Sequence, residues 1–246
     1  MTLFLVGGGP SENLSDVHDV FAASVGARAR GRSARVAYIS AGRPEEVASF
    51  APDYTQPLLD RLPHCEVSEI YLLPVGEDGA DETEWPEGLA DVDGVIVAGG
   101  HTPSYLRGLQ PKRAELARLV REDVPWLGFS AGAHVTSRHC WVGGWRSGGH
   151  QVANQLASEG LEEVEVVDGL ALITPTLVAH NDTWQTESVA ITALEQHWSG
   201  TAVAIDEDTC LVVDPITGRT AHYGRGRIRW FNREASGVMV RTQYPD

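Results

Sequence analysis

In the first 130 residues, short β-branched runs alternate with longer stretches that carry apolar residues at helical spacing. This alternation limits the fold more than any other feature. "LFLV" (3–6), "RVAYIS" (35–40), "VSEIYLL" (67–73), "DGVIVAGG" (93–100) and "VPWLGFS" (124–130) read as strands. Between them, "SDVHDVFAASVGARAR", "FAPDYTQPLLDRL" and "KRAELARLVRE" read as helices. The series predicts an α/β fold, a doubly wound and mostly parallel sheet with helices on both faces. After residue 160 the pattern changes. "GLALI", "TLVAH", "TAVAIDED", "TCLVVDP", "TAHYG" and "IRWFN" are short and separated by turn residues. The C-terminal half is therefore expected to be richer in short strands and partly antiparallel. No Pro/Gly/Ser linker divides the halves and no internal repeat is visible, so the 246 residues read as one domain, 1–246.

Charge and cysteine usage narrow the function classes. A formal charge of -15 argues against nucleic acid or an anionic membrane surface as partner, because phosphates are repelled. No apolar run approaches the roughly 18 residues of a membrane helix. The N-terminal "MTLFLVGGGPSENL" lacks a basic n-region and reads as a first strand, not a signal peptide. Cys65, Cys140 and Cys210 lie far apart with no CxxC pair. They are expected to be buried, unreactive thiols in a reducing cytoplasm, with neither disulfide nor zinc site. No H-E-x-x-H or clustered His/carboxylate set is present, and no metal or other cofactor is expected. The acidic tract 77–93 reads as a solvated surface loop.

The last strand of the alternating series runs into "GFSAG" (128–132). In G-x-S-x-G the serine sits where a strand reverses into a helix, and bulky neighbours would clash there. Ser130 is thus either a nucleophile on a tight turn or a cap of the next helix, since serine is a favoured N-cap. The preceding strand ends in Gly99-Gly100 at the same sheet edge, adjacent parallel strands lying about 4.8 Å apart. The N–H groups of Gly100 and Ala131 are candidates for an oxyanion hole, aided by the positive end of the following helix. The plainer reading of the glycine pair is a tight turn.

At this point the chain resembles the dipeptidase E and cyanophycinase family of serine peptidases. The resemblance rests on a first strand running into "VGGG", on "AGGHT" before the elbow, on "GFSAGA" itself, and on "VAHNDTW" and "AIDEDTCLVV" beyond it. It implies a class I glutamine amidotransferase-like sheet with serine at the elbow in place of cysteine. That replacement argues against glutamine amidotransferase activity. His180 ends the strand "TLVAH", opens a polar turn, and matches the family's histidine as general base. In the dipeptidase branch an aspartate about fifteen residues after the serine holds the imidazole. That position is Trp145 here, and no carboxylate lies between Ser130 and Glu159. The cyanophycinase branch uses a glutamate matched by Glu207 in "AIDEDT", with Asp182 as the other candidate. His134, one helical turn past Ser130, is expected to point back along its helix.

The expected activity is hydrolysis of small peptides through an acyl-enzyme on Ser130, by a monomer or a homodimer. Family members of this type act on peptides with an aspartyl residue on the acyl side, which calls for arginine. The stretch after His180 has no basic residue, leaving Arg146 as the nearest. His101, Trp145, Arg146 and Asp182 are the candidate substrate-binding residues, with His150 also on a loop. Either Arg146 reads an aspartate, or specificity has moved to neutral or aromatic side chains stacked on Trp141, Trp145 or Trp184. The second option is preferred. "WVGGWRSGGH" (141–150) is too glycine-rich for a regular element and is read as a substrate-facing lid or a tryptophan pair over the core edge. "VGGGPSE" (6–12) is read as a turn leaving the first strand, not a phosphate cradle. Two further readings stand beside the peptidase: an α/β-hydrolase-type esterase using Ser130, Asp206 and His222, and a non-catalytic binding protein of the same fold.

Overall fold

A computed structural model describes residues 2–73 and 83–245. The first five strands are β1 (Leu3–Val6), β2 (Arg35–Ala41), β3 (Glu66–Leu72), β4 (Gly94–Val97) and β5 (Trp126–Phe129). Their helices are α1 (Ser15–Ala29), α2 (Pro44–Val47), α3 (Ala51–Leu59), α4 (Thr102–Leu109) and α5 (Arg113–Arg121). All four residues of β1, β4 and β5 are buried, as expected for central strands covered on both faces. Beyond β5 come α6 (Ala131–His134), β6 (His139–Gly143), β7 (Arg146–Ser147), β8 (His150–Gln151), β9 (Glu165–Asp168) and β10 (Thr176–Val178). Then follow α7 (Asn181–Trp184), α8 (Glu187–Glu195), β11 (Thr201–Ile205), β12 (Thr209–Val213), β13 (Thr220–Gly224), β14 (Ile228–Glu234) and β15 (Gly237–Gln243).

The large sheet has the order β13-β12-β1-β5-β4-β2-β3. Strands β1 to β5 are parallel; β12 and β13 extend the sheet antiparallel. Alternation along β5 sends Phe129 toward His18 of α1 and Tyr54 of α3, whereas Gly128 faces α6. Helices therefore cover both faces, as the alternating pattern predicts. A second sheet, β10-β11-β14-β15, mixes one parallel and two antiparallel pairs. It buries Val178, Ala202, Ala204 and Phe231 against α8 and Trp141.

Several expectations are corrected. "GLALI" forms no strand; Leu170, Leu172 and Ile173 are buried in an irregular segment held by backbone bonds to Val135, Thr136 and Ser137. "NDTW" is not a loose turn but the single-turn helix α7. "WVGGWRSGGH" is regular after all. Its first residues belong to β6, and β7 and β8 form a hairpin turning at Gly148 and Gly149, both at positive φ. The acidic tract splits: residues 77–82 lie outside the described residues, and Glu87–Asp91 is a 3₁₀ turn that buries Leu89. Cys140 and Cys210 are buried, and burial pushes both thiols up. Cys65 is only half-buried, with its thiol pushed up to about 11 by burial. Among the described residues no helix is long and apolar enough to cross a membrane, and no three His, Cys, Asp or Glu side chains gather as a metal-holding group.

Candidate active site

Registration across the central strands brings the candidate residues to one edge. Val6 pairs with Phe129 and Val97 with Gly128, so Gly7, Ser130 and the Gly99-Gly100 turn leave the sheet side by side. The turn at Ser130 is tight. A Cβ on Gly128 would lie 2.3 Å from the carbonyl oxygen of Gly132, and one on Gly132 would lie 2.3 Å from that of Val97. Ser130 itself takes φ +47° and ψ −106°, a strained conformation costing on the order of 1–3 kcal/mol. Ser130 stands at the N-cap of α6, yet its side chain caps nothing. Its Oγ lies 2.7 Å from Nε2 of His180.

His180 follows β10 in the left-handed region (φ +55°, ψ +35°), and its N–H donates to the carbonyl of Gly7 at 2.7 Å. The side chains of Ser130 and His180 are largely shielded from water, and Trp184 stacks flat on the imidazole, ring centroids 3.8 Å apart. His180 Nδ1 meets the Glu207 carboxylate, which also accepts from Thr183 Oγ1 at 3.3 Å. Asp182 does not reach the imidazole; its Oδ1 accepts the backbone N–H of Glu207 at 2.8 Å. Asp206 is buried and accepts from Asn181 Nδ2 at 2.7 Å and from Arg227 Nε at 2.8 Å, anchoring the residue after His180. His222 sits on β13, three strands from β5, a separation of about 14 Å at the usual strand spacing. Neither ring nitrogen of His222 has a hydrogen-bond partner among the described residues.

The oxyanion candidates are equally well defined. Gly99 donates its N–H to Tyr54 Oη at 3.2 Å, and its carbonyl accepts from Tyr105 Oη at 3.0 Å. That carbonyl shares a planar trans peptide with the N–H of Gly100, so fixing the one aims the other in the opposite direction. Gly100 takes φ +145°, open to glycine and strained for other residues. Among the described residues neither Gly100 N–H nor Ala131 N–H has an acceptor.

The "VGGG" segment is a turn, as expected, but one with a specific task. A Cβ on Gly8 would lie 1.7 Å from Oε2 of Glu207, so the bare backbone there makes room for the carboxylate. Of the substrate-binding candidates, His101 is half-exposed beside the Gly99-Gly100 turn, its Nε2–H donating to the Glu159 carbonyl at 3.1 Å. The Arg146 guanidinium lies over the Trp145 ring, 4.3 Å from its centroid. Trp141 is fully buried, with Nε1 donating to Gly143 at 2.7 Å, and so offers no face to a substrate. His134 is buried and hydrogen-bonded to Ala179 and Thr102, not to the serine. Tyr54 and Tyr105 go unmarked in the sequence, as do the tasks of Gly8 against Glu207 and of Trp184 against the imidazole. Only Trp184 had a usable signal there, four residues past His180 on a short helix.

No curated protein sequence matches the chain. Solved structures that share its fold include two peptidases. A peptidase from an acI-B1 actinobacterium is 19% identical with a TM-score of 0.65, over 99% of this chain and 96% of that one. A putative peptidase E protein from Listeria monocytogenes EGD-e is 17% identical with a TM-score of 0.55, over 92% and 98%. Residues 3–220 match the model of Peptidase family S51, and the chain belongs to that family, the dipeptidase E family of serine peptidases.

Proposed function

We propose that this serine peptidase cleaves short peptides through an acyl-enzyme on Ser130. The observation that carries the reading is the contact of a strained Ser130 Oγ with His180 Nε2 at 2.7 Å, with Glu207 on the far side of the ring. His180 Nε2 takes the hydroxyl proton as Oγ attacks the scissile carbonyl. The N–H groups of Gly100 and Ala131 receive the developing oxyanion. The imidazolium then gives its proton to the leaving amine, the C–N bond breaks, and the acyl group stays on Oγ. Water, deprotonated by the same nitrogen, releases the acid and restores Ser130. Glu207 holds the Nδ1–H tautomer and balances the imidazolium charge, while Asp182 positions the Glu207 backbone.

The esterase reading has less support: Asp206 is committed to Asn181 and Arg227, and His222 lies strands away from Ser130. For substrate, Trp145 and Trp184 remain as stacking surfaces once Trp141 is removed, and Arg146 rests on the Trp145 face. No other arginine follows the elbow before His180 except Arg138, so an Asp-X dipeptide is expected to be a poor substrate. Covalent capture by a fluorophosphonate tests the activity. A Ser130 adduct supports the peptidase, and failure to label the folded protein favours a non-catalytic binding protein.

A further inference from the structure

Three loops that carry the proposed catalytic groups are joined beneath the site by one buried chain of hydrogen bonds. The chain has a fixed direction. Ala179, the residue before His180, donates its backbone N–H to His134 Nε2 at 2.8 Å. That nitrogen must therefore be an unprotonated acceptor, and the proton of a neutral imidazole must sit on Nδ1. Burial, with the nearby His180 as a smaller contribution, pushes His134 down to about 3, which keeps the ring neutral. His134 Nδ1–H then donates to Thr102 Oγ1 at 3.3 Å. The Thr102 hydroxyl proton is left for Glu159 Oε1, at 3.2 Å.

Each link stands next to a functional group. Ala179 precedes His180, His134 lies one turn after Ser130 on α6, and Thr102 opens α4 two residues after Gly100. Thr102 and His134 are almost wholly shielded from solvent, and the Glu159 side chain is only 15% exposed. The backbone carbonyl of Glu159 also accepts from His101 Nε2, so Glu159 grips both residues that follow Gly100. Its carboxylate is raised above the ordinary range, mainly by burial. Interaction with His101, Thr102 and His180 offsets part of that rise, and Glu159 in turn adds to the rise of the Cys140 thiol.

We infer that Glu159, acting through Thr102 and His134, is a positioning residue that fixes the oxyanion turn relative to Ser130 and His180. It acts as a hydrogen-bond acceptor and not as a contact for substrate. The inference rests on the peptidase reading of Ser130. It identifies a role for the first carboxylate after the elbow, which the Ser–His–Glu arrangement leaves unused.

The test is the labelling of Ser130 by a fluorophosphonate, read as a limiting rate and a half-saturating probe concentration. Wild type should label. Thr102→Val and Glu159→Ala should lower the limiting rate at least about 10-fold with the half-saturating concentration unchanged, since a misaimed oxyanion donor slows only the chemical step. Glu159→Gln, which keeps an acceptor oxygen, and Thr102→Ser, which keeps the hydroxyl, should label within about 3-fold of wild type. Thermal melts confirm that each variant is folded, and the two conservative variants carry the test if a truncated one is not. Wild-type rates for Thr102→Val and Glu159→Ala would overturn the inference. So would Glu159→Gln as slow as Glu159→Ala, or a change in half-saturation alone, either of which would make the charge or a substrate contact the working feature. A wild-type protein that fails to label would instead overturn the peptidase reading itself.

Discussion

Replacing Gly8 by alanine should separate activity from folding. The added Cβ would sit 1.7 Å from Glu207 Oε2 and 2.7 Å from its Cδ. Ordinary contact needs about 3.5 Å, so the carboxylate has to retreat by more than about 1.5 Å. The hydrogen bond to His180 Nδ1 does not survive such a displacement. Gly8 is not among the glycines at positive φ, so alanine meets no backbone strain there. The atom that must move is the end of a flexible side chain, about one-third exposed, so the fold should lose no more than about 1 kcal/mol. Mis-holding the imidazole of a triad costs up to about 10⁴-fold in kcat. Gly8→Ala should therefore lose at least about 10²-fold in kcat/KM, more than about 2.7 kcal/mol at the barrier, while melting near wild type. Glu207→Gln supplies the benchmark loss in the same assay, peptide hydrolysis with parallel thermal melts. Full activity in Gly8→Ala, or a loss matched by unfolding, would refute the reasoning.

Two other predictions concern substrate and pH. Across a dipeptide library, Asp-X members should be cleaved poorly by wild type and Arg146→Ala alike. Efficient Asp-X cleavage that disappears in Arg146→Ala would show that Arg146 reads the aspartyl carboxylate. His18, buried beside Phe129, is lowered from 6.5 to about 4, chiefly by burial and next by Arg61. Between those values the unfolded chain holds a proton that the folded chain lacks, so this contribution to stability is complete above pH 6.5 and lost as pH falls toward 4. His18→Phe should flatten the stability–pH slope near pH 5 by about 1.2 kcal/mol per pH unit in urea unfolding. An unchanged slope would refute it.

The parallel half of the fold was legible because its central strands are buried on both faces and so read as unbroken apolar runs. The rest was harder for physical reasons. Strand β15 lies at a sheet edge with Met239 and Val240 exposed, so it lacks a burial pattern. "GLALI" looked like a strand because Leu170, Leu172 and Ile173 are buried, yet its backbone bonds go to the turn after α6. At the site, the elbow glycines were readable because the clash they avoid is local. Glu207 was reachable only through the family resemblance, since nothing near it in sequence marks it apart from Asp206 and Asp208. Gly8 against Glu207, and Thr102 against His134 and Glu159, meet across long stretches of chain and leave no periodic trace.

The central claim is that Ser130 Oγ, activated by His180, is the nucleophile. Incubation with a fluorophosphonate followed by intact mass and peptide mapping tests it most directly. One phosphonyl adduct per chain, on the peptide carrying Ser130, is predicted for wild type and for His222→Ala. Ser130→Ala and His180→Ala, still folded by thermal melt, should carry none. An adduct on another residue, or full labelling of Ser130 without His180, would contradict the account.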